Sequence, residues 1–444
     1  MFETSTNAKN PSTRYTSVAL AMVNPQPEEI GRLEVVKNAR KALFKQPVEL
    51  TAFTKHRHGT SYDRRGLRPC VLPPLPIDLN EGFSRFRDRD RGDAYPAPLE
   101  PIVQGLLLEE KIEELSKANF VSWRGNIAKL LCTPWNQRDP WHIEAEYING
   151  TFFLNVKEPP SNLAKEATRD ERMHRMCFWG FSFEEKLCAA GEEGPIDACD
   201  GYISVVKTQV GEHHLVIGGE VDCAEALRGG KLGHYMELKT TRLMDTAPQI
   251  MRFERDKLIK WWAQSFPVGV LKILVGFRDD HGQVKKVQVM DTLKLPKHVA
   301  GKSHGWDANG ALGFLDRALT WLREAIADHQ RGPSASGAMR YVMKYEPQTT
   351  PGVIALVHDP SIPPFAPTHL LSHKSEVALP PDGIVASESK DDTMIARLPH
   401  DGGGKGDLEG HVNVGDGATG VAAVVPEGAT RNKKRDREEL GESE

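Results

Sequence analysis

The apolar positions in the central part of the chain recur with the periods of regular secondary structure. Residues 106–115 and 312–329 have apolar side chains at helical spacing and charged side chains on the other face, which predicts two amphipathic helices. Residues 248–266 show a similar spacing and predict a third helix. Its two tryptophans, Trp261 and Trp262, are predicted to pack in the core rather than to stack on bases.

Short apolar segments predict β-strands between these helices. They cover residues 202–209, 214–222, 235–241, 270–277 and 284–290. The sequence Asp-Asp-His-Gly at 279–282 is typical of a tight turn, so the last two strands are predicted to form a hairpin. Because the strands come in runs rather than in strict alternation with helices, we expect a mixed α/β fold.

The composition changes towards both ends of the chain. Residues 1–28 are polar and contain three prolines, and from about residue 380 glycine, aspartate and small residues dominate. Such segments bury too little apolar surface to offset the entropy cost of ordering, so 1–28 and 380–444 are predicted to be disordered. Residues 29–379 are predicted to form one folded domain. A basic run at 432–439 fits a nuclear-import signal and a solvated tail equally well.

Bulk properties exclude several classes of protein. The net charge of -4 argues against a generally basic surface, so nucleic-acid binding would require a local cleft. No apolar segment reaches the roughly 18 residues needed to span a bilayer, and the N-terminus lacks a signal-peptide pattern, so no membrane association is expected. The six cysteines form no C-x-x-C pair, which favours a reducing compartment. Basic residues at 55–68 are interpreted as a solvated loop, with an extended nucleic-acid path as the alternative.

The candidate chemistry lies in two tripeptides, Glu220-Val-Asp222 and Glu237-Leu-Lys239. Residues two apart in a strand face the same way, so three carboxylates and one ammonium group would converge if these strands were neighbours. Such carboxylates need a cation to offset their repulsion, and they suit Mg²⁺ or Mn²⁺. Two ions about 3.5–4 Å apart would stabilise the attacking and leaving oxygens. Acidic residues at alternate strand positions are also common on wet sheet faces, so the tripeptides alone indicate a nuclease without establishing one.

Longer motifs resemble those of the DXO/Rai decapping nucleases. In chain order they are SWRGNIAKLLCTPW at 122–135, GFSFE at 180–184, EVDC at 220–223, ELKT at 237–240 and KLIKWWAQSF at 257–266. The resemblance is clear from about residue 120 to 290 and weaker from 30 to 375. It implies a mixed α/β (α+β) fold with two β-sheets flanked by helices, and a nuclease-like (D/E)xK core with the active site in a cleft between the sheets.

The resemblance also implies a set of metal ligands. Carboxylates of Glu184, Asp222 and Glu237 would bind divalent metal, Mg²⁺ or Mn²⁺ and two ions, with the main-chain carbonyl of Leu238 as a further ligand. Glu220 would lie at the edge of the metal site, position water and touch the substrate. The predicted catalytic residues are the three acidic residues of the two tripeptides and the lysine: Glu220, Asp222, Glu237 and Lys239.

The substrate-binding residues are implied in the same way. Lys239 and Gln264 would hold the scissile phosphate, and Glu220 would contact the substrate beside them. Arg124 would engage RNA phosphate, for which a forked guanidinium is well shaped. One departure from the family pattern is Ile203, where many relatives have a cysteine in the substrate pocket. Its contact with substrate must therefore be apolar or through the backbone.

The activity implied is metal-dependent hydrolysis at RNA 5′ ends. It includes pyrophosphate release from 5′-triphosphate RNA, removal of incomplete caps and, in several members, removal of NAD caps. Fungal members act in the nucleus and bind a nuclear 5′-3′ exoribonuclease, so a nuclear location and that partner are expected. Two alternatives remain at this stage: a DNA nuclease of the restriction type, and a non-catalytic subunit that stabilises the exoribonuclease.

Overall fold

The computed structural model describes residues 26–89, 97–188, 194–225, 232–332 and 339–371. The predicted disordered ends lie outside these ranges except for residues 26–28, of which Glu28 already begins a strand. The described residues all fall within one compact unit of the chain. The proposed boundary at residue 379 and the basic run at 432–439 lie outside the described residues.

The strands in these ranges are numbered in chain order. They are β1 Glu28–Glu34, β2 Phe44–His56, β3 Gly59–Ser61, β4 Ile77–Asp78, β5 Phe120–Trp123, β6 Trp141–Ile148, β7 Thr151–Lys157, β8 Gly201–Val210, β9 His213–Val221, β10 Cys223–Ala224, β11 Tyr235–Arg242, β12 Lys272–Arg278, β13 Gln283–Asp291, β14 Arg340–Tyr345 and β15 Val353–His358. Each predicted strand is therefore present, within a few residues of its expected ends.

The helices follow the same numbering. They are α1 Glu100–Leu108, α2 Ile112–Lys117, α3 Arg124–Cys132, α4 Pro160–Ala167, α5 Glu171–Leu187, α6 Ala247–Phe253, α7 Ile259–Ser265, α8 Leu295–Val299, α9 Ala308–Arg331 and α10 Thr368–Leu371. A five-residue π-helix, Glu254–Leu258, joins α6 to α7.

Two sheets organise the described part of the chain. A ten-stranded sheet has the order β1-β15-β14-β6-β7-β5-β9-β8-β2-β3, and a five-stranded sheet has the order β10-β11-β12-β13-β4. The main core lies between them and includes apolar residues of α3, α7 and α9. Helices α1 and α2 contribute to a second core on the other face of the larger sheet, and α5 packs on the outer face of the smaller one. The predicted mixed α/β fold with two sheets flanked by helices is confirmed.

The pairing in the smaller sheet leaves part of one strand edge open. β11 and β12 are parallel, and the segment from α6 to α7 makes the crossover that parallel strands require. On its other side β11 pairs with β10 only through Met236 and Tyr235. Within the described residues, the edge of β11 from Glu237 onward therefore has no strand beside it.

Two predicted helices differ in detail from the structure. The segment 106–115 is not one helix: α1 ends at Leu108, Glu110 takes a positive φ of 54°, and α2 begins at Ile112. This break lets Lys111 Nζ donate to the Leu50 carbonyl at 2.5 Å, a tertiary contact that outweighs helical propensity. The predicted helix at 248–266 is present but contains the π-helical turn.

The structure also shows the setting of the tryptophans, the state of the cysteines and the character of the helices. Trp261 and Trp262 are 6% and 0% exposed, so both pack in the core as predicted. All six cysteines are free thiols. In the part of the chain that the structure describes, no helix is both long enough and apolar enough to cross a membrane.

Candidate active site

The open edge of β11 carries a fully buried glutamate that is clamped by two cations. Glu237 is 0% exposed. Arg124, the first residue of α3, donates to it through both guanidinium nitrogens, with Nη1–Oε2 at 2.7 Å and Nη2–Oε1 at 3.2 Å. Lys239 Nζ donates to the same Oε1. A forked, charge-assisted pair of this kind is among the stronger hydrogen bonds in proteins.

The two cations determine the protonation state of this glutamate. Burial by itself raises the pKa of Glu237, but the charges and hydrogen bonds of Arg124 and Lys239 outweigh burial and lower the pKa to about 2. Conversely, burial lowers the pKa of Arg124 and of Lys239, while the nearby carboxylates, Glu237 foremost, raise both pKa values on balance. All three groups are therefore ionised at neutral pH.

Two further carboxylates lie around the same strand edge. Asp222 Oδ2 accepts a hydrogen bond of 2.6 Å from the main-chain N–H of Leu238. Burial and the neighbouring Glu237 raise the pKa of Asp222 to about 7. Glu184, on α5, has a pKa raised well above its ordinary value by burial and then by Asp222. The site thus holds more buried carboxyl groups than Arg124 and Lys239 can keep ionised.

The carboxylates converge in a way that differs from the simplest sequence interpretation. β9 and β11 are not neighbours, because they belong to different sheets. Glu220 is near the end of β9 in the larger sheet, whereas Asp222 lies in the link between β9 and β10. The chain leaves one sheet after Val221 and joins the other at Cys223, and this change of sheet brings the two tripeptides together.

Glu220 lies at the margin of this cluster. It is close enough to contribute to the raised pKa values of both Arg124 and Glu184. In the β8–β9 ladder it is the register partner of Ile203. Ile203 is 4% exposed and belongs to the outer apolar core, so its side chain packs beside Glu220 as part of that core.

Two glycines that the sequence analysis did not select shape the site. A Cβ added at Gly201 would lie 2.5 Å from Glu220 Oε1, and one at Gly219 would lie 3.2 Å from Arg124 Cδ. Glycine inside a strand commonly marks such a close approach. Part of this signal was available in the sequence, since Gly219 falls within the predicted strand 214–222 and Gly201 directly precedes the predicted strand 202–209, but only the fold shows what approaches them.

Gly201→Ala is expected to reduce catalysis with little effect on stability. The added methyl group would meet the flexible end of the Glu220 side chain, so the carboxylate should move while the strand stays. A displacement of about 1 Å can cost up to about 100-fold in rate, and we expect a tenfold to hundredfold fall in kcat. Steady-state hydrolysis and urea unfolding would measure the two effects.

Gly59→Ala is the matched control, because a Cβ there meets nothing within 4 Å. Unchanged kcat in Gly201→Ala would show that the position of Glu220 is unimportant. A large loss of stability would show instead that Gly201 serves the fold.

The remaining predicted site residue, Gln264, lies on α7 and is half-buried. The segment that follows α7 approaches β9, because a Cβ at Gly219 would lie 3.0 Å from Val268 Cγ1. The fold thus brings the end of this helix to the strand that carries Glu220. The role of Gln264 in holding phosphate stays a prediction.

The donor set is chemically suited to a hard divalent cation. Glu184, Asp222 and Glu237 supply oxygen ligands, and the raised pKa values of the first two show the electrostatic cost that a cation would offset. Within the described residues, however, no three acidic, histidine or cysteine side chains are already arranged as a metal site. The reason is visible at Glu237, whose oxygens are held by Arg124 and Lys239.

The basic residues at 55–68 do not form a solvated loop. Arg64 donates to Glu49 and to Tyr202, and Arg68 pairs with Glu185 at 2.7 Å. The first residues of the cluster end strand β2. The four arginines of the cluster are therefore paired with carboxylates, although the Arg65 side chain stays 86% exposed. This corrects the loop interpretation in part and weakens the alternative of an RNA path here.

The buried acidic cluster, with a lysine two residues after a glutamate on an open strand edge, defines a nuclease of the (D/E)xK type. A family model described as "RAI1 like PD-(D/E)XK nuclease" matches residues 45–374. The chain belongs to this family, which confirms the resemblance drawn from the motifs and the assignment as a hydrolase.

Individual relatives agree with the family. The chain is 30% identical over 306 residues to the human decapping and exoribonuclease protein, covering 64% of this chain and 76% of the relative. It is 30% identical over 304 residues to the decapping nuclease RAI1 of Emericella nidulans, covering 64% and 83%. The crystal structure of Scheffersomyces stipitis Rai1 with 3′-NADP⁺ and calcium matches with a TM-score of 0.61 and 25% identity, over 73% of this chain and 92% of that one.

Proposed function

We propose that this chain is a metal-dependent decapping nuclease that hydrolyses phosphate bonds at RNA 5′ ends. The observation that carries the proposal is the meeting of Glu184, Asp222, Glu237 and Lys239 around the open edge of β11. The relatives' names, decapping nuclease and decapping and exoribonuclease protein, support RNA 5′ ends as the substrate.

The chain's own residues account for substrate positioning. Lys239 pairs with Glu237 and is 23% exposed at its side chain, so part of this side chain is accessible to a substrate. Arg124 is 13% exposed, and its fork is suited to phosphate as well as to carboxylate. Both would hold an anionic phosphate beside the carboxylates and stabilise the charge that develops during hydrolysis. Glu220, at the margin, would orient water and the substrate.

The proposed cofactor is Mg²⁺ or Mn²⁺, bound as two ions. Glu184, Asp222 and Glu237 would hold it with the Leu238 carbonyl, and Glu220 would lie at its edge. When bound, such ions polarise the phosphate and activate water. Because Glu237 is held by two cations, we propose that its oxygens give up one of these contacts when metal binds. The calcium in the S. stipitis structure supports a divalent ion.

The proposed substrates are 5′-triphosphate RNA, incompletely capped RNA and NAD-capped RNA. The test is to incubate the purified protein and Mg²⁺ or Mn²⁺ with RNAs that differ only at the 5′ end, and to identify the released fragment. Pyrophosphate or a cap dinucleotide is expected, and chelation with EDTA should abolish its release. A matched DNA strand tests the restriction-type alternative, since preferential DNA cleavage would contradict the proposal.

The double variant Glu220→Ala, Asp222→Ala tests the non-catalytic alternative. It should lose 5′-end hydrolysis entirely. If wild type also shows none, while both proteins stimulate a 5′-3′ exoribonuclease equally, the chain is a supporting subunit rather than an enzyme.

We further propose that the protein acts in the nucleus beside a 5′-3′ exoribonuclease. The proposal rests on the behaviour of fungal family members and on the basic run at 432–439. Neutral substitutions in that run should move a fluorescent fusion out of the nucleus. Co-purification of the exoribonuclease with the tagged protein tests the partner.

A further inference from the structure

A charged cavity separate from the carboxylate site lies at the C-terminal end of β11, the strand that carries Lys239. It has a volume of about 740 Å³ and is lined by α5, by the ends of β11 and β12, and by the turn after β12. Its lining contains none of the site carboxylates. Five cations face only two carboxylates in this lining: Arg172, Arg175, Arg242, Lys257 and Arg278 against Glu171 and Asp280.

Arg278 is the central feature of this cavity, which we call the Arg278 pocket. The residue is only 7% exposed, and its Nε has no hydrogen-bond partner in the structure. Its Nη1 donates to the main-chain carbonyl of Asp279 at 3.1 Å. The guanidinium carbon lies 4.3 Å from the centre of the Trp179 ring, which fixes its orientation. A buried guanidinium without a carboxylate partner is costly unless an anion reaches it.

Ion pairs among the other lining residues leave the pocket with an excess of positive charge. Arg175 pairs with Glu171, and Arg242 pairs with Asp280 at 2.5 Å. Among the described residues, no carboxylate is within ion-pair distance of Arg172, Lys257 or Arg278. Burial lowers the pKa of Arg278, and the charges of Asp280 and Asp279 offset this only in part. The pocket is therefore built to receive negative charge from outside the chain.

The Arg278 pocket lies further along β11 than the proposed catalytic residues. Lys239 and Thr241 alternate along β11 and so share the face of Glu237. Lys257 Nζ donates to Thr241 Oγ1 at 3.0 Å, so this lysine of the pocket reaches that face. Arg242 alternates to the opposite face, on which α5 packs. Helix α5 also joins the two sites, because it carries Glu184 as well as the pocket residues Arg172 and Arg175. From Lys239 to Arg242 the strand rises about 10 Å. An extended strand of nucleic acid with one phosphate at the carboxylates would reach the pocket with a later phosphate.

We propose that the Arg278 pocket binds backbone phosphate of the RNA strand whose 5′ end occupies the catalytic site. The inference rests on the proposed function, since it assumes an RNA end at the carboxylates. Its contacts are to phosphate rather than to bases, because cations line the pocket and Trp179 is covered by Arg278. It therefore increases affinity for longer RNA without reading sequence.

The test measures binding as a function of RNA length. Lys257→Gln and Arg172→Gln remove exposed cations from the pocket, and Arg278→Gln removes the buried one. Anisotropy titrations in EDTA would use a 5′-phosphorylated dinucleotide and a longer unstructured RNA. Each variant should bind the longer RNA about tenfold more weakly, the usual value of a charge-assisted contact. The slope of log affinity against log salt should fall by about 0.7 for each lost phosphate contact. Dinucleotide binding should not change.

Lys294→Gln is the matched control, because this lysine is 80% exposed and lies outside the pocket. If Arg278→Gln does not fold, Lys257→Gln and Arg172→Gln still test whether the pocket binds RNA phosphate. Longer RNA bound equally by wild type, Lys257→Gln and Arg172→Gln would overturn the inference. If wild type hydrolyses no RNA 5′ end, the proposed function is overturned instead. The effect of the variants on the binding of longer RNA would still test the pocket independently.

Discussion

Glu237→Gln is expected to lower 5′-end hydrolysis by about a thousandfold, the effect of removing one essential charge-stabilising group. It should also destabilise the protein. Arg124 and Lys239 would lose the carboxylate that neutralises them in a buried setting, and breaking such a pair costs about 3–5 kcal/mol. We expect the lower end of this range, since Asp222 and Glu184 can take over part of the pairing. Urea unfolding at neutral pH would measure the loss.

The pH dependence provides a second measurement on the same variant. The pKa of Glu237 is lowered from 4.5 to about 2 in the folded protein. Its stabilising contribution is therefore present above pH 4.5 and is lost as the pH falls towards 2. The variant should lack this part of the acid-induced destabilisation. Glu114→Gln, at another paired and largely buried glutamate, is the control; equal stability losses in both variants would contradict a special role for the Arg124–Glu237–Lys239 cluster.

Glu184→Gln should have opposite effects on stability and activity: we expect a more stable protein that hydrolyses RNA 5′ ends more slowly. Burial and neighbouring carboxylates raise the pKa of Glu184, so its ionised form destabilises the folded state once the pH exceeds the ordinary value. A neutral glutamine removes that repulsion and should raise the free energy of unfolding of the metal-free protein by about 1 kcal/mol or more. Hydrolysis should nevertheless fall by about 100-fold or more, because a proposed metal ligand is lost.

Thermal unfolding with and without Mn²⁺ would test this prediction. Metal that binds only the folded state raises Tm, so wild type should gain more from Mn²⁺ than the variant does. Glu185→Gln is the control, since this neighbour on α5 pairs with Arg68. A less stable Glu184→Gln, or one with an undiminished Mn²⁺ shift, would remove Glu184 from the metal site.

Several parts of this description could be obtained from the sequence. Periodicity located the strands of both tripeptides and the long helix α9, because these segments bury a continuous apolar face. It failed at 106–115, where two buried leucines suggested one helix and a contact from Lys111 to the Leu50 carbonyl favours a turn. The sequence suggested that the two tripeptides would converge if their strands were neighbours, whereas these strands belong to different sheets. Nothing local in residues 220–223 shows that the chain changes sheets there.

From the sequence, the tripeptides at 220–222 and 237–239 indicated a metal-dependent nuclease, and the resemblance of these and of the motifs around Arg124 and Glu184 to the DXO/Rai decapping nucleases implied the RNA 5′ end as substrate. The tertiary structure decided how these groups are charged. Glu237 is ionised because Arg124 crosses from another element to reach it, whereas Glu184 and Asp222 keep raised pKa values because burial and neighbouring carboxylates outweigh the cations near them. The Arg278 pocket likewise exists only in three dimensions, where elements distant in sequence bring their cations together. Electrostatic energy depends on distance and burial, and neither can be read from a linear pattern.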